Sequence, residues 1–572
     1  MDKAYVGGYT REDFEILRKD AKAKFEERKN DWIEYLLWTL PHRARHLINP
    51  NADKIVGYPI IDGTHVLAHR SFVAGFLEGN TSASRPWMRY SHPDPDRNRF
   101  LPNRQWLDLA TNRVLTYLSN SNFYHQAGQF YYDYGAVNTG CHIFKKVGNG
   151  IHVYTLLPGS YYVINNALNE PEMLIREFSM NAMALVKRYG KKKDGKWDWS
   201  NFSSLVKALY EKSDTKTLIE CVEIFCRNKE LNLEESISGS NRPWINVTYE
   251  TGGSFANGFS QYINEPHAKD VVNLEVGYSR RKPFIVGKSH GDTPYGEMGP
   301  TSSSIGLIRS ANKKAISKDL ALEQMLQPTT QGPAHIRKSY LTTQARKHIP
   351  LDATAMAQGG VKPVFEVNPA VATLSADVLD IRQQIERFYY ADFLLYLSNN
   401  PKTRTAEEVR EIVTEKQSVI GPNLQTLNWS YNMPIAEYML DFVIHEDPYL
   451  PPPPEDLQGQ SINTEFTSVF AQVQKAFDLP QINQYVDRWT ALAQLNPQAW
   501  DHINLEVLNR TYEDRYYLPA GLANPKSYVE ALRRQAQQDM MRQQMIEALP
   551  GAAQASKSFA EAQQIQNGGQ GV

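Results

Sequence analysis

Between Thr301 and Leu397 the sequence alternates two long helical patterns with a segment that cannot be helical, and this arrangement constrains the chain more than any other feature. In TSSSIGLIRSANKKAISKDLALEQMLQP, Ile305, Ile308, Ala315, Leu322 and Leu326 fall near one face of a 3.6-residue period. Pro328 stops the pattern, because it has no N–H to donate and its ring clashes with the preceding turn. From Thr329 to Leu374, Gly332-Pro333, Gly359-Gly360, Pro363 and Pro369 surround short strand-like pieces such as KPVFEV, which predicts a compact non-helical insertion. Ser375 is the expected N-cap of a second helix, striped by Val378, Ile381, Ile385 and Phe388. A short basic break, SNNPKTR (Ser398–Arg404), follows, and Thr405-Ala-Glu-Glu408 is a capping box that opens a third helix. The apolar face of that helix runs from Val409, Ile412, Val413 and Ile420 on to Leu424 and Leu427. Gly421-Pro422 should therefore kink it rather than end it.

The flanks differ. Residues 1 to about 300 mix helix and strand, beginning with a polar helix from Arg11 to Leu40 that Pro41 terminates. In GCHIFKKVGNGIHVYTLLPG the glycines of GNG supply the positive φ of a tight turn, which predicts a hairpin. ESISGSNRPWINVTYETGGSFANGFSQYINEPH reads as further short strands with glycine-rich turns, and Tyr278–Gly299 reads as loop. After a stiff proline spacer, PYLPPPPEDL, the remainder is helical and ends in an Ala- and Gln-rich tail. With 62 Lys plus Arg against 63 Asp plus Glu, any contact with a polyanion must be local. The longest apolar run, YYADFLLYL, falls short of the ~20 residues that span a bilayer, and the chain opens without a secretory signal. A soluble protein made in a cytoplasm is expected. Three cysteines, Cys141, Cys221 and Cys226, suit a reducing compartment; Cys221 and Cys226 share a helical-looking stretch and read as buried structural thiols.

Chemistry is hard to find. Gly287-Lys288-Ser289 in KPFIVGKSHGD resembles the end of a P-loop, but Lys282 stands where the first glycine belongs, so the backbone cannot wrap a phosphate. His42 and His46 have the i, i+4 spacing of a metal pair, yet Pro41 abuts them and no Glu follows the first. No G-x-S-x-G elbow occurs, and Asp94 and Asp96 sit in a proline-rich loop. No catalytic residue, cofactor or metal is expected.

The order of these parts resembles the head-to-tail connecting, or portal, proteins of short-tailed (podovirus-type) bacteriophages. The resemblance runs through WIEYLLWTLP, IIDGTHVLAHRSFVAGFLEGNTSASRPWMRY and SNFYHQAGQFYYDYGAVNTGCHIF. It continues through YGEMGPTSSSIGLIRSANKKAISKDLALEQMLQP and RTAEEVREIVTEKQSVIGPNLQTLNWSYNMPIAEYML, with departures around Lys192–Ser240 and in the C-terminal tail. The resemblance implies an α+β, mainly helical portal fold assembling as a ring, generally a dodecamer, around a central channel. Residues 1–300 would be the wing, 301–328 and 375–397 the two stem helices, and 329–374 the clip. The tunnel loop would be 398–404, a kinked wing helix and following segment 405–475, and the crown 476–572. Lys402 and Arg404 would form a basic collar touching double-stranded DNA without reading sequence. Arg337, Lys338, Arg346 and Lys347 would meet DNA or partners at the clip. Implied partners are the terminase packaging motor, tail adaptor and nozzle proteins, and major capsid and scaffolding proteins, at a virion portal vertex assembled in the host cytoplasm. A phage DNA-processing or packaging enzyme, or another virion component, is the alternative.

Overall fold

The computed structural model describes residues 6–50, 54–94, 97–98, 100–232, 239–251, 273–326, 330–331, 357, 362–363, 371–391, 420–468, 479–495, 507–508, 512, 528–529 and 531–541. The chain divides into two units: Met1–Met88 with Thr111–Leu450 and Phe466–Phe477, and Arg89–Ala110 with Pro451–Glu465 and Asp478–Val572. The described helices include α1 (Arg11–Thr39), α2 (Arg45–Ile48), α3 (Thr64–Asn80), α4 (Leu101–Ser119), α5 (Phe123–Val137), α6 (Ala182–Tyr189), α7 (Ser204–Glu211), α8 (Pro300–Leu326), α9 (Val371–Phe388), α10 (Met433–Glu446) and α11 (Leu479–Leu495).

Helix α1 starts where the sequence says it should. Thr10 and Asp13 form a reciprocal capping box, Thr10 N–H donating to Asp13 at 2.8 Å and Asp13 N–H to the Thr10 hydroxyl at 3.2 Å. Its buried face, Phe14, Ala21, Phe25, Trp32 and Leu36, repeats at spacings of seven and four, so a polar helix still carries one continuous apolar stripe. Phe25 and Trp32 meet Tyr295 edge-on, at ring distances of 5.7 and 5.4 Å.

Two antiparallel sheets share the core of the first unit. The hairpin of β2 (Thr139–Val147) and β3 (Gly150–Thr155) forms as expected, with Gly148 at φ +59° in its turn. Tyr278–Gly299 is not all loop: Phe284–Lys288, the strand β11, adds to the free edge of β2, Val286 opposite Cys141 and Gly287 opposite Gly140. All five of its residues are buried, so it shows none of the in–out alternation by which a half-exposed strand is read. The second sheet runs β10 (Glu275–Ser279), β9 (Trp244–Glu250), β8 (Leu218–Arg227), β5 (Pro171–Asn181), β4 (Tyr161–Asn165). Cys221 and Cys226 lie on β8, so the helical-looking stretch is a strand for the same reason: its interior is buried on both faces. Cys141, Cys221 and Cys226 are all free and buried, and burial raises each thiol, that of Cys226 to about 12.

Buried charge ties the sheets together. Glu223 on β8 accepts from Lys145 on β2 at 2.6 Å and from Arg176 on β5 at 3.0 Å. Burial pushes its carboxyl up, but the two cations outweigh that and hold it below the usual range. Helix α5 packs between this core and α3; its Asp133 takes a two-pronged contact from the Arg43 guanidinium, whose remaining reach goes to the Leu156 carbonyl. In the second unit, Trp106 donates to the Pro451 carbonyl of the proline spacer at 2.8 Å, and Arg89 pairs with Glu465 beyond it at 3.3 Å.

Candidate functional site

Helices α8 and α9 form an antiparallel pair. Thr301, at the start of α8, meets Tyr389, just past the end of α9, across 2.7 Å between hydroxyls, while Lys314 pairs with Asp377 near the other end. Ile308 and Ala311 face Val378, Ile381 and Ile385 along the seam, all buried. The second helix begins at Val371, before the expected N-cap Ser375, because Leu374 extends the stripe Val378, Ile381, Ile385 back by one turn. It is interrupted after Phe388, where Tyr390 takes up a left-handed φ of +54°; Ala391 is helical again, and the remainder of the expected helix to Leu397 lies outside the described residues. Within the segment the pair encloses, Thr330–Gln331 pairs antiparallel with Lys362–Pro363, bringing its two ends together.

The pair is rooted in the first unit by buried polar contacts. Asn312, in mid-helix, accepts from the backbone N–H of Ile61 (2.9 Å) and Asp62 (3.0 Å). The Asp62 carboxylate accepts from Thr64 N–H and hydroxyl at 3.0 and 2.6 Å and from Arg382 of α9 at 2.8 Å. Burial raises this carboxyl, and the bonds from Thr64 and Arg382 more than offset it, leaving it below the usual range. Thr301 also reaches the Gly135 carbonyl at 2.6 Å, and Arg309 pairs with Glu34 of α1. Farther along α8 the footing ends, and Ile316 and Leu320 are exposed.

The next helical stretch runs unbroken from Ile420 through Gly421-Pro422, with Ile420, Leu424 and Leu427 buried on one side. Its ladder is disturbed at Asn428–Asn432, a π-turn in which Met433 N–H bonds the Asn428 carbonyl five residues back. Pro434 explains the position, since it has no N–H for the carbonyl of Ser430. The turn aims Tyr431 and Asn432 inward. Tyr431 stacks on Phe130 with ring centres 3.8 Å apart, and its hydroxyl lies 3.0 Å from His142 Nε2; His142 Nδ1 lies 3.2 Å from the Thr155 hydroxyl. Asn432 and Asn80 exchange amide hydrogen bonds at 2.9 and 3.3 Å, and Asn80 donates to the Tyr131 hydroxyl at 2.9 Å. Burial lowers His142 to about 3, so the imidazole is neutral and fits a relay of uncharged partners.

The residues singled out from sequence for contacts with DNA or partners, Lys402 and Arg404 in the break and Arg337, Lys338, Arg346 and Lys347 in the insertion, lie outside the described residues. Gly287-Lys288 sits in β11 rather than in a phosphate loop: a Cβ at 287 would stand 2.4 Å from Phe130, and the Lys288 ammonium donates to the Thr293 carbonyl at 3.0 Å. His42 and His46 straddle the join of a 3₁₀ turn (Pro41–Ala44) and α2, not one helix. Among the described residues no group of three or more His, Cys, Asp or Glu side chains is placed to hold a metal. Of the footing, Asp62 and Thr64 lie in the IIDGTHV stretch that carries the resemblance; Asn312 was not visible in sequence, because a polar residue inside a helix carries no sign of being buried.

The bacteriophage head to tail connecting protein family matches residues 11–523, and the chain belongs to that family. It is 26% identical over 555 residues to the portal protein of Salmonella phage epsilon15, covering 95% of this chain and 94% of that protein. It is also 26% identical over 534 residues to the probable portal protein of Bordetella phage BPP-1, covering 92% and 91%. A chain of the virion of the native gene transfer agent particle aligns with a TM-score of 0.32 and 11% identity, over 78% of this chain and 93% of that one.

Proposed function

We propose that this chain is the subunit of a portal ring at the head–tail junction of a short-tailed phage, a structural rather than enzymatic component through which the genome is packaged and released. The end-to-end correspondence with relatives named as portal proteins, above nine-tenths of both chains, carries the reading. The helix pair fits it. At 27 residues α8 is about 40 Å long, enough for one helix per subunit to line a channel wall of that height. In this assignment α8 and α9 are the stem, 329–374 the clip and 398–404 the tunnel loop, with the first unit largely the wing and residues 476–572 the crown. Lys402 and Arg404, repeated around the ring, meet passing phosphates without reading bases, and Arg337, Lys338, Arg346 and Lys347 face the tail or motor.

Ring closure needs a heterologous contact whose rotation closes, not an isologous one, by the geometry of cyclic assemblies; the exposed Ile316, Leu320 and Leu379 beside the seam supply apolar surface for it. The ring, a dodecamer in this reading, docks the terminase motor, tail adaptor and nozzle proteins, and the capsid and scaffolding proteins. Negative-stain images of the purified chain test the proposal. Annular particles with an axial hole are expected, and a compact monomer at every concentration and in every buffer would overturn it.

A further inference from the structure

The segment Ala182–Thr217 is a small module that packs with Ile219 and Cys221 of β8 and Leu274 into a second hydrophobic cluster. Leu185, Val186 and Tyr189 of α6 and Val206 of α7 are buried, and Trp197, Trp199, Phe202 and Tyr210 pack on them. Trp197 donates to the Tyr210 hydroxyl at 2.9 Å. On this base stands a hairpin of β6 (Lys191–Lys193) and β7 (Lys196–Asp198), closed by Asp194 and Gly195 at φ +50° and +77°, the two left-handed residues of a tight two-residue turn. The hairpin is therefore held in place by aromatic packing and turn chemistry.

Its surface is strongly basic. The module carries nine Lys or Arg against four Asp or Glu, in a chain whose net charge is −1. Lys187, Arg188, Lys191, Lys192, Lys193 and Lys196 are exposed, and none pairs with a carboxylate among the described residues. Several cations elsewhere in the first unit are paired with carboxylates, as at Arg18–Glu177, Lys145–Glu223, Arg309–Glu34 and Arg382–Asp62. Lys193 stands directly opposite Lys196, a like-charge pair that weakens the hairpin holding it. Nothing inside the fold benefits from that pairing.

We infer that this basic hairpin binds the phosphate backbone of double-stranded DNA on the outside of the molecule, independently of any channel. Five of the six cations are lysines, compact charges without the planar fork that reads a carboxylate or base edge. No large apolar side chain is exposed on the hairpin, so it lacks the anchors on which protein partners depend. Charge without shape suits a sequence-independent contact with a phosphodiester chain.

Covalently closed circular DNA provides the test, because it cannot thread a closed ring and so reports only outer surfaces. Full-length protein is titrated with such circles by filter binding between 50 and 200 mM NaCl. The variant Lys191→Gln/Lys192→Gln/Lys193→Gln/Lys196→Gln is expected to bind at least tenfold more weakly at 50 mM, with the log–log salt slope flattened by about 3.6, at roughly 0.9 per lost phosphate contact. Lys19→Gln/Lys24→Gln, which removes two exposed cations of α1, should change affinity less than twofold. A thermal melt of the quadruple variant that matches the parent confirms that the module still folds. The inference fails if the parent does not retain circles, if the quadruple variant keeps the parental slope, or if poly-glutamate competes with DNA at equal charge. None of these outcomes bears on whether rings form, so the two proposals stand or fall separately.

Discussion

Replacing Arg43 by methionine leaves the Asp133 carboxylate buried without its partner, which costs about 3–5 kcal/mol by comparison with other broken buried pairs and should show as a lower urea midpoint. Gly287 is as sensitive for a steric reason: with Phe130 2.4 Å from any added Cβ, Gly287→Ala forces the central sheet off the aromatic layer and should destabilise by about 1–3 kcal/mol. Two buried histidines with large shifts, His69 and His142, set a pH dependence. Burial lowers His69 from 6.5 to about 4 and His142 from 6.5 to about 3. Between those values and 6.5 the unfolded chain binds protons that the folded chain refuses, so stability falls as pH falls below 6.5. At pH 5 each histidine should account for a loss of about 2 kcal/mol relative to pH 7. Urea midpoints at pH 7 and pH 5 measure it, and a stability that rises on acidification would contradict the neutral assignment.

Among the described elements, the π-turn at Asn428–Asn432 locks distant segments together through Tyr431 and Asn432. Tyr431→Phe keeps the stack on Phe130 but strips His142 of its hydroxyl partner, which should cost about 1–3 kcal/mol for an unsatisfied buried nitrogen. A ΔΔG near zero from chemical denaturation would mean that the imidazole finds another partner. The helix pair depends on its footing in the same way. Asp62→Ala removes the acceptor of Arg382 and of the Thr64 N–H at once, so hydrogen exchange should quicken in α9 while β8 keeps its protection. The Lys193–Lys196 pair works in the opposite sense, since neutralising either lysine removes repulsion and leaves the hairpin no weaker.

At the scale of the whole molecule, the proposed placement of Lys402 and Arg404 in a ring channel predicts that Lys402→Glu with Arg404→Glu leaves ring assembly intact and reduces the DNA carried per head, because like charge would then meet every passing phosphate. Quantifying packaged DNA in heads complemented with the variant checks this. The family could be read from the sequence because its motifs keep their order over most of the chain, and family matching over 11–523 agrees. Sequence by itself determined α1, the β2–β3 hairpin and the existence of α8 and α9, since caps, prolines, turn glycines and a 3.6-residue stripe act between near neighbours in the chain. Only the tertiary structure decided that Phe284–Lys288 is a strand, that Cys221 and Cys226 lie on another, and that Asn312, Tyr431 and Asn432 are buried hubs. A strand covered on both faces has no alternation to betray it. A hydrogen bond such as Tyr431 to His142, 289 residues away, leaves no local trace, because burial is a property of the packed chain and not of the residue.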